Sequence, residues 1–114
     1  MCIRDRDTTP PVAGPVTPVA AQDGDPTPDQ WSALRECESS NNYSAVSSTG
    51  KFRGAYQFSQ ATWDWVADSF HPELSGEDPA VALPGNQDAM ALALTRMQSP
   101  GSAWPSCSRV AGIA

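Results

Sequence analysis

A chain of 114 residues with a formal net charge of −6 has room for one domain and offers no basic stripe for nucleic acid. No apolar run approaches the length of a transmembrane helix, so membrane insertion of this stretch is not expected. The single histidine, His71, precedes Pro72 and reads as an exposed helix-end residue; no Ser-His-Asp or Cys-His set can be assembled around it, and neither a metal nor a cofactor is expected.

In chain order, Met1-Cys2-Ile3-Arg4-Asp5-Arg6 resembles a translated sequencing-adaptor scar, which would make Cys2 non-native and leave the natural N-terminus and any signal peptide upstream. From Thr8 to Pro28 the composition shifts to Pro, Val, Ala, Thr and Asp without a periodic apolar face. Such a segment cannot bury enough apolar surface to offset chain ordering. Residues 1–26 are therefore expected to be an adaptor-like start and a disordered Pro-rich linker, and residues 27–114 the domain.

The first helix signal is Thr27-Pro28-Asp29-Gln30, with Thr27 as cap, Pro28 at the first helical position and Gln30 completing a capping box. At about 100° per residue from Trp31, Leu34 falls near about 300°, Glu38 near about 340° and Glu36 near about 140°. Glu38 thus shares the apolar face with Trp31 and Leu34, whereas Glu36 points away. Apolar neighbours and the negative end of the helix dipole both favour the protonated form of a carboxyl there. A carboxylic acid that is still protonated near neutral pH can donate to the leaving oxygen when a glycosidic bond breaks. Without further context, a solvated helix-end charge is the commoner fate of a glutamate.

Ser39 to Ser44 reads as a polar loop, and Tyr43 to Phe58 holds the strand-like material. Ser47-Ser48-Thr49-Gly50 is the expected hairpin turn, flanked by Ala45-Val46 and Lys51-Phe52-Arg53. Gly54 then follows, where the missing side chain would let a ligand approach the backbone or would form an ordinary bulge. Ser59 can cap a second helix with Trp63, Val66, Ala67 and Phe70 as its core face, stopped by Pro72. Asp78-Pro79 starts a short helical turn, Pro84-Gly85 resets the direction, and a helix beginning at Asn86 carries Met90, Leu94 and Met97 at helical spacing. With Ala91, Leu92 and Ala93 it is apolar on more than one face, as a buried central helix would be. Pro100-Gly101 is expected to end it. The fold class is α+β, mostly α, with a short β-hairpin. Cys37 and Cys107 lie too far apart for clustered zinc ligands and could be a disulfide or two buried thiols.

Cys37-Glu38-Ser39, Asn42-Tyr43, Gly54-Ala55-Tyr56-Gln57-Phe58, Ala61-Thr62-Trp63 and Ala103-Trp104-Pro105-Ser106-Cys107 together resemble the catalytic domain of the actinobacterial resuscitation-promoting factors, members of the lysozyme-like superfamily. Glu38-Ser39-Ser40, Asn41, Ala45-Val46-Ser47, Thr49-Gly50 and Gly54-Ala55-Tyr56-Gln57 are also similar to soluble lytic transglycosylases. One departure stands out: resuscitation-promoting factors usually carry Gly-Gly where this chain has Ser40-Asn41. The resemblance implies a small lysozyme-like domain, peptidoglycan glycan strands as the partner, Glu38 as the catalytic acid, and Gln57 and Thr62 positioning sugar, with Tyr56 and Asn42 as further groove residues. It also implies a Cys37–Cys107 disulfide, and hence a secreted or cell-wall location.

Glycosidases that work with two carboxylates need a second Asp or Glu across the scissile bond, and none lies between Ser39 and Asp64. A single acid fits a lytic transglycosylase and leaves room for a muramidase using a weakly held water. The alternative is a non-catalytic module that binds wall glycan in the same groove with Glu38 as an ordinary anion.

Overall fold

The computed structural model describes residues 12–114; the adaptor-like start, including Cys2, lies outside them. Five α-helices follow in order: α1 Pro28–Ser39, α2 Gln60–Phe70, α3 Pro84–Leu94, α4 Pro100–Ala103 and α5 Cys107–Ala111, with a 3-10 turn at Pro72–Leu74. Helix α1 begins where its local chemistry dictates. Thr27 accepts from the Gln30 backbone N–H, Gln30 Oε1 accepts from the Thr27 N–H, and Pro28 occupies the first turn. Ser59 caps α2 in the same manner, accepting from Thr62 N–H.

The core forms around α3, in which Asn86, Gln87, Ala89, Met90, Ala91, Ala93 and Leu94 are all buried. Helix α2 contributes Trp63, Val66 and Ala67, and the Trp63 indole donates to the Leu74 carbonyl at 2.8 Å. Phe70, expected in this face, is exposed, and His71, expected outside, is buried. The helix ends at Phe70 and the chain turns there, so the helical spacing of the apolar residues no longer sets which side chain faces inward. Helix α3 also stops earlier than its apolar spacing suggests. Beyond Leu94 the backbone tightens into bonds from Arg96 to Ala93 and Met97 to Leu94, and Pro100 starts α4 rather than only ending α3.

The expected hairpin is not confirmed as a pair of strands. Among the described residues no strand forms, and the segment pairs only through isolated antiparallel bridges, Val46 with Arg53 and Arg53 with Phe58. Two left-handed positions, Gly54 at φ 86° and Gln57 at φ 55°, turn the chain straight after Arg53, leaving no extended run long enough for a ladder. From residue 12 to residue 26 the Pro-rich segment has no helix or strand, but it is fastened to the domain. Val16 N–H donates to buried Asn86, whose amide returns bonds to Ala13 and Gly14 carbonyls, and Arg96 makes a bidentate pair with Asp25. Val16 and Val19 pack on the core. Here buried Asn86 of α3 and Arg96, just beyond the end of that helix, supply the anchors that the segment's own composition lacks.

Candidate functional site

Three consecutive residues at the end of α1 have three different tasks. Cys37 is bonded to Cys107, tying α1 to α5 with Cα atoms 5.6 Å apart. Ser39 Oγ donates to the Ala55 carbonyl at 2.8 Å and accepts from Asn42 N–H, tying the helix end to the turn after Gly54. Glu38, between them, stands in an open depression of about 230 Å³ with Phe52, Gln57, Ala103, Trp104 and Pro105. A second depression of about 180 Å³ shares Phe52, Gln57, Ala103 and Trp104 and adds Thr62, Gln98 and Ser102, so the two adjoin as parts of one groove.

Glu38 is the sole carboxylate among the residues lining that groove. It is half-buried, and burial raises its pKa above the ordinary glutamate value. Its place in the last turn of α1 acts in the same direction, because the carbonyl end of a helix disfavours negative charge. Glu36 is exposed, as its opposite direction on the wheel requires.

The helix is stopped by two left-handed residues, Ser40 at φ 58° and Asn41 at φ 60°, whose N–H groups bond back to Glu36 and Arg35 carbonyls. These are the two positions at which resuscitation-promoting factors usually carry Gly-Gly. The departure lies in how the helix is capped, with Asn41 Oδ1 also accepting from Arg35 Nε at 2.7 Å.

Of the expected site residues, Gln57, Thr62 and Tyr56 line the groove: Gln57 lines both parts, and Thr62 and Tyr56 line the part that adjoins the Glu38 depression. Gln57 holds its left-handed turn with a bond from its own amide to the Gly54 carbonyl. Tyr56 does not present its phenol there. The residue is 1% exposed, and its hydroxyl donates to Asp88 and accepts from Arg35, beside a separate depression lined by Trp31, Arg35 and Asp88. The aromatic belongs to a buried triangle with Trp31 and Trp104, ring centroids 5.8–6.2 Å apart. Its backbone carbonyl accepts from the Trp104 indole at 3.0 Å, so Tyr56 sets the floor of the groove. Asn42 is not among the residues lining the groove; its Oδ1 accepts from Ser44 N–H and orders the exposed loop after α1.

Gly54 is needed for a different approach from the one anticipated. A Cβ there would lie 2.6 Å from Gln87 Oε1 and 2.9 Å from the Pro79 carbonyl. The neighbour is therefore Gln87, a buried amide that accepts from Ala55 N–H and donates to Tyr43 and Ala82 carbonyls. Sequence reasoning passed over Gln87, and also Gln98, which lines the groove four residues after Leu94 on the same helical direction. A glutamine inside an otherwise apolar helix is the signal that could have marked the first; the second follows only from where the chain turns.

Fold and site together define a small, disulfide-tied, α-rich domain with a single recessed carboxylate in an open groove. A sequence model of the transglycosylase-like domain matches residues 26–107, and the chain belongs to that family. It is 38% identical over 78 residues to resuscitation-promoting factor RpfD of Mycobacterium tuberculosis, covering 68% of this chain and 45% of that protein. It is 28% identical over 88 residues to resuscitation-promoting factor RpfC of the same species, covering 77% and 56%. The chain thus spans about half the length of these curated relatives.

Proposed function

We propose that this domain cleaves the β-1,4 bond between N-acetylmuramic acid and N-acetylglucosamine in peptidoglycan as a lytic transglycosylase, with Glu38 as its one catalytic carboxyl group. The observation that carries this reading is Glu38 itself: a half-buried acid with a raised pKa and no second carboxylate in its groove. Protonated Glu38 gives its proton to the leaving sugar oxygen as the C1–O bond breaks. The resulting carboxylate then takes the proton of the muramoyl 6-hydroxyl, whose oxygen closes on C1 to a 1,6-anhydro ring. Protons balance and no external nucleophile is consumed. Gln57 and Thr62 position the sugars beside the acid. The disulfide supports an oxidising site of action, secreted or at the cell wall.

The test is digestion of purified peptidoglycan followed by mass spectrometry of the fragments. Wild type should release 1,6-anhydro-muramoyl ends, and Glu38→Gln should cut slower by at least roughly 10²-fold, the lower end of general acid contributions. Glu36→Gln should stay within a few-fold of wild type. Reducing ends would make the acceptor water, and thus a muramidase. Full activity in Glu38→Gln, or binding by wild type without any cutting, would leave a glycan-binding module in place of the enzyme.

A further inference from the structure

Phe52 lines both halves of the groove. The residue is 45% exposed, and it is outside the packed core. Yet its backbone is held at both polar groups: the carbonyl accepts from Ser47 N–H at 2.8 Å, and the N–H donates to Ser47 Oγ at 3.1 Å. The ring is thus presented on a fixed frame while remaining open to solvent. Exposing a phenyl ring in this way gains nothing for folding, since the apolar area stays wet until something covers it. The residues lining the adjoining groove carry groups that a sugar rim can bond: amides on Gln57 and Gln98 and hydroxyls on Thr62 and Ser102. A pyranose has one face of axial C–H groups and a rim of hydroxyl and amide substituents. Against an aromatic face and a polar rim, it fits with its C–H face on the ring.

We infer that Phe52 is the stacking platform for one saccharide ring of the glycan strand, fixing which glycosidic oxygen comes to Glu38. The occupant is a hexosamine of a β-1,4-linked strand, held by its apolar face on Phe52 and by its substituents on the Gln57 and Gln98 amides. The inference rests on the proposed cleavage of peptidoglycan for the identity of the sugar, while the stacking itself concerns binding and is testable without turnover.

The experiment uses the full chain in a Glu38→Gln background and titrates a soluble β-1,4-linked N-acetylglucosamine oligosaccharide, followed by quenching of tryptophan fluorescence from Trp104 and by NMR of the groove amides. Phe52→Ala should weaken binding by about tenfold, whereas Phe52→Tyr and Phe52→Trp, which keep an aromatic face, should bind within a few-fold of the parent. In the Glu38 background, Phe52→Ala should raise KM for glycan far more than it lowers kcat, because the acid is untouched. Thermal unfolding of Phe52→Ala should match the parent, since the ring is outside the core. Equal affinity of Phe52→Ala and its parent, or equal weakening in the Ala, Tyr and Trp variants, would overturn the stacking role. If wild type binds the oligosaccharide through Phe52 but cuts no peptidoglycan, the cleavage reading fails and the stacking stands; if wild type cuts and Phe52→Ala cuts and binds alike, the reverse holds.

Discussion

Glu38 is an acid whose folded surroundings favour the proton, and that has a consequence for stability as well as for catalysis. Its pKa is raised by burial, so between the unfolded and folded values the native state holds more protons than the unfolded chain. Stability contributed by this group is therefore greatest at low pH and falls as pH rises through its folded pKa. Glu38→Gln carries no charge at any pH. Urea midpoints of the two proteins, followed from acid to neutral pH, should diverge in favour of the Gln variant; parallel curves would mean that Glu38 is not desolvated. Cleavage by wild type should decline over the same rising interval, as the acid loses the proton it has to give. Two residues on, Ser40 holds a left-handed backbone with φ 58°, a conformation costing a residue with a side chain roughly 1–2 kcal/mol. After allowing for the extra freedom of glycine in the unfolded chain, Ser40→Gly should stabilise by about 0.5–1 kcal/mol in denaturant unfolding. Asn41→Gly should gain nothing, because asparagine tolerates this conformation and its bond to Arg35 would be lost. An unchanged midpoint for Ser40→Gly would count against the strain.

At the level of elements, the contact between the Gly54 turn and α3 depends on one buried amide. Gly54→Ala puts a methyl group on Gln87 Oε1 and the Pro79 carbonyl in a backbone of φ 86°, so a loss of about 2 kcal/mol or more is expected. Gln87→Ala removes the partner of Ala55 N–H and of two carbonyls. Because both changes break the same junction, their double variant should lose clearly less than the sum of the singles; additive losses would show that the two residues act separately. This junction also shows why the sequence could be read in some places and not in others. The caps at Thr27 and Ser59 were legible because they are settled by residues three apart. The inward direction of Glu38 was legible because a short helix keeps its period. The hairpin is not confirmed: Ser47-Ser48-Thr49-Gly50 reads as a turn between two flanking strands, but the segment pairs only through isolated bridges, and the turn at Gly54 depends on its close approach to Gln87 of α3. Tyr56 lines the groove, but its phenol points elsewhere. Its phenol is captured by Asp88, thirty-two residues away, and no local pattern announces that pairing.

Across the whole molecule, the groove is assembled from segments that lie far apart in the chain, and the Cys37–Cys107 bond closes them over a sequence separation of 70. On one side of the bond is the residue before Glu38; on the other, Cys107 follows three residues after Trp104, whose indole bond to the Tyr56 carbonyl forms the floor. Helix α5, which starts at Cys107, packs along α1, with Ala111 and Ser108 buried. Such a domain has a modest core. In the chain-entropy model, a loop of this length makes the bond worth about 4 kcal/mol, a large share of the stability of a small domain. Intact mass after alkylation, with and without reductant, should show one bond joining these two residues. Replacing both by Ser should lower the denaturant midpoint steeply. The same variant, assayed at low temperature where it remains folded, should also cut peptidoglycan more slowly, because the acid and the Trp104 floor are then held only by packing. Binding of an oligosaccharide should weaken with it. Should the double Ser variant unfold at the wild-type midpoint, or should both thiols alkylate freely in folded oxidised protein, the bond would have no part in holding the groove. A variant with a lowered midpoint but unchanged cleavage would show that α1 and α5 keep their register without it, and that the disulfide serves stability alone.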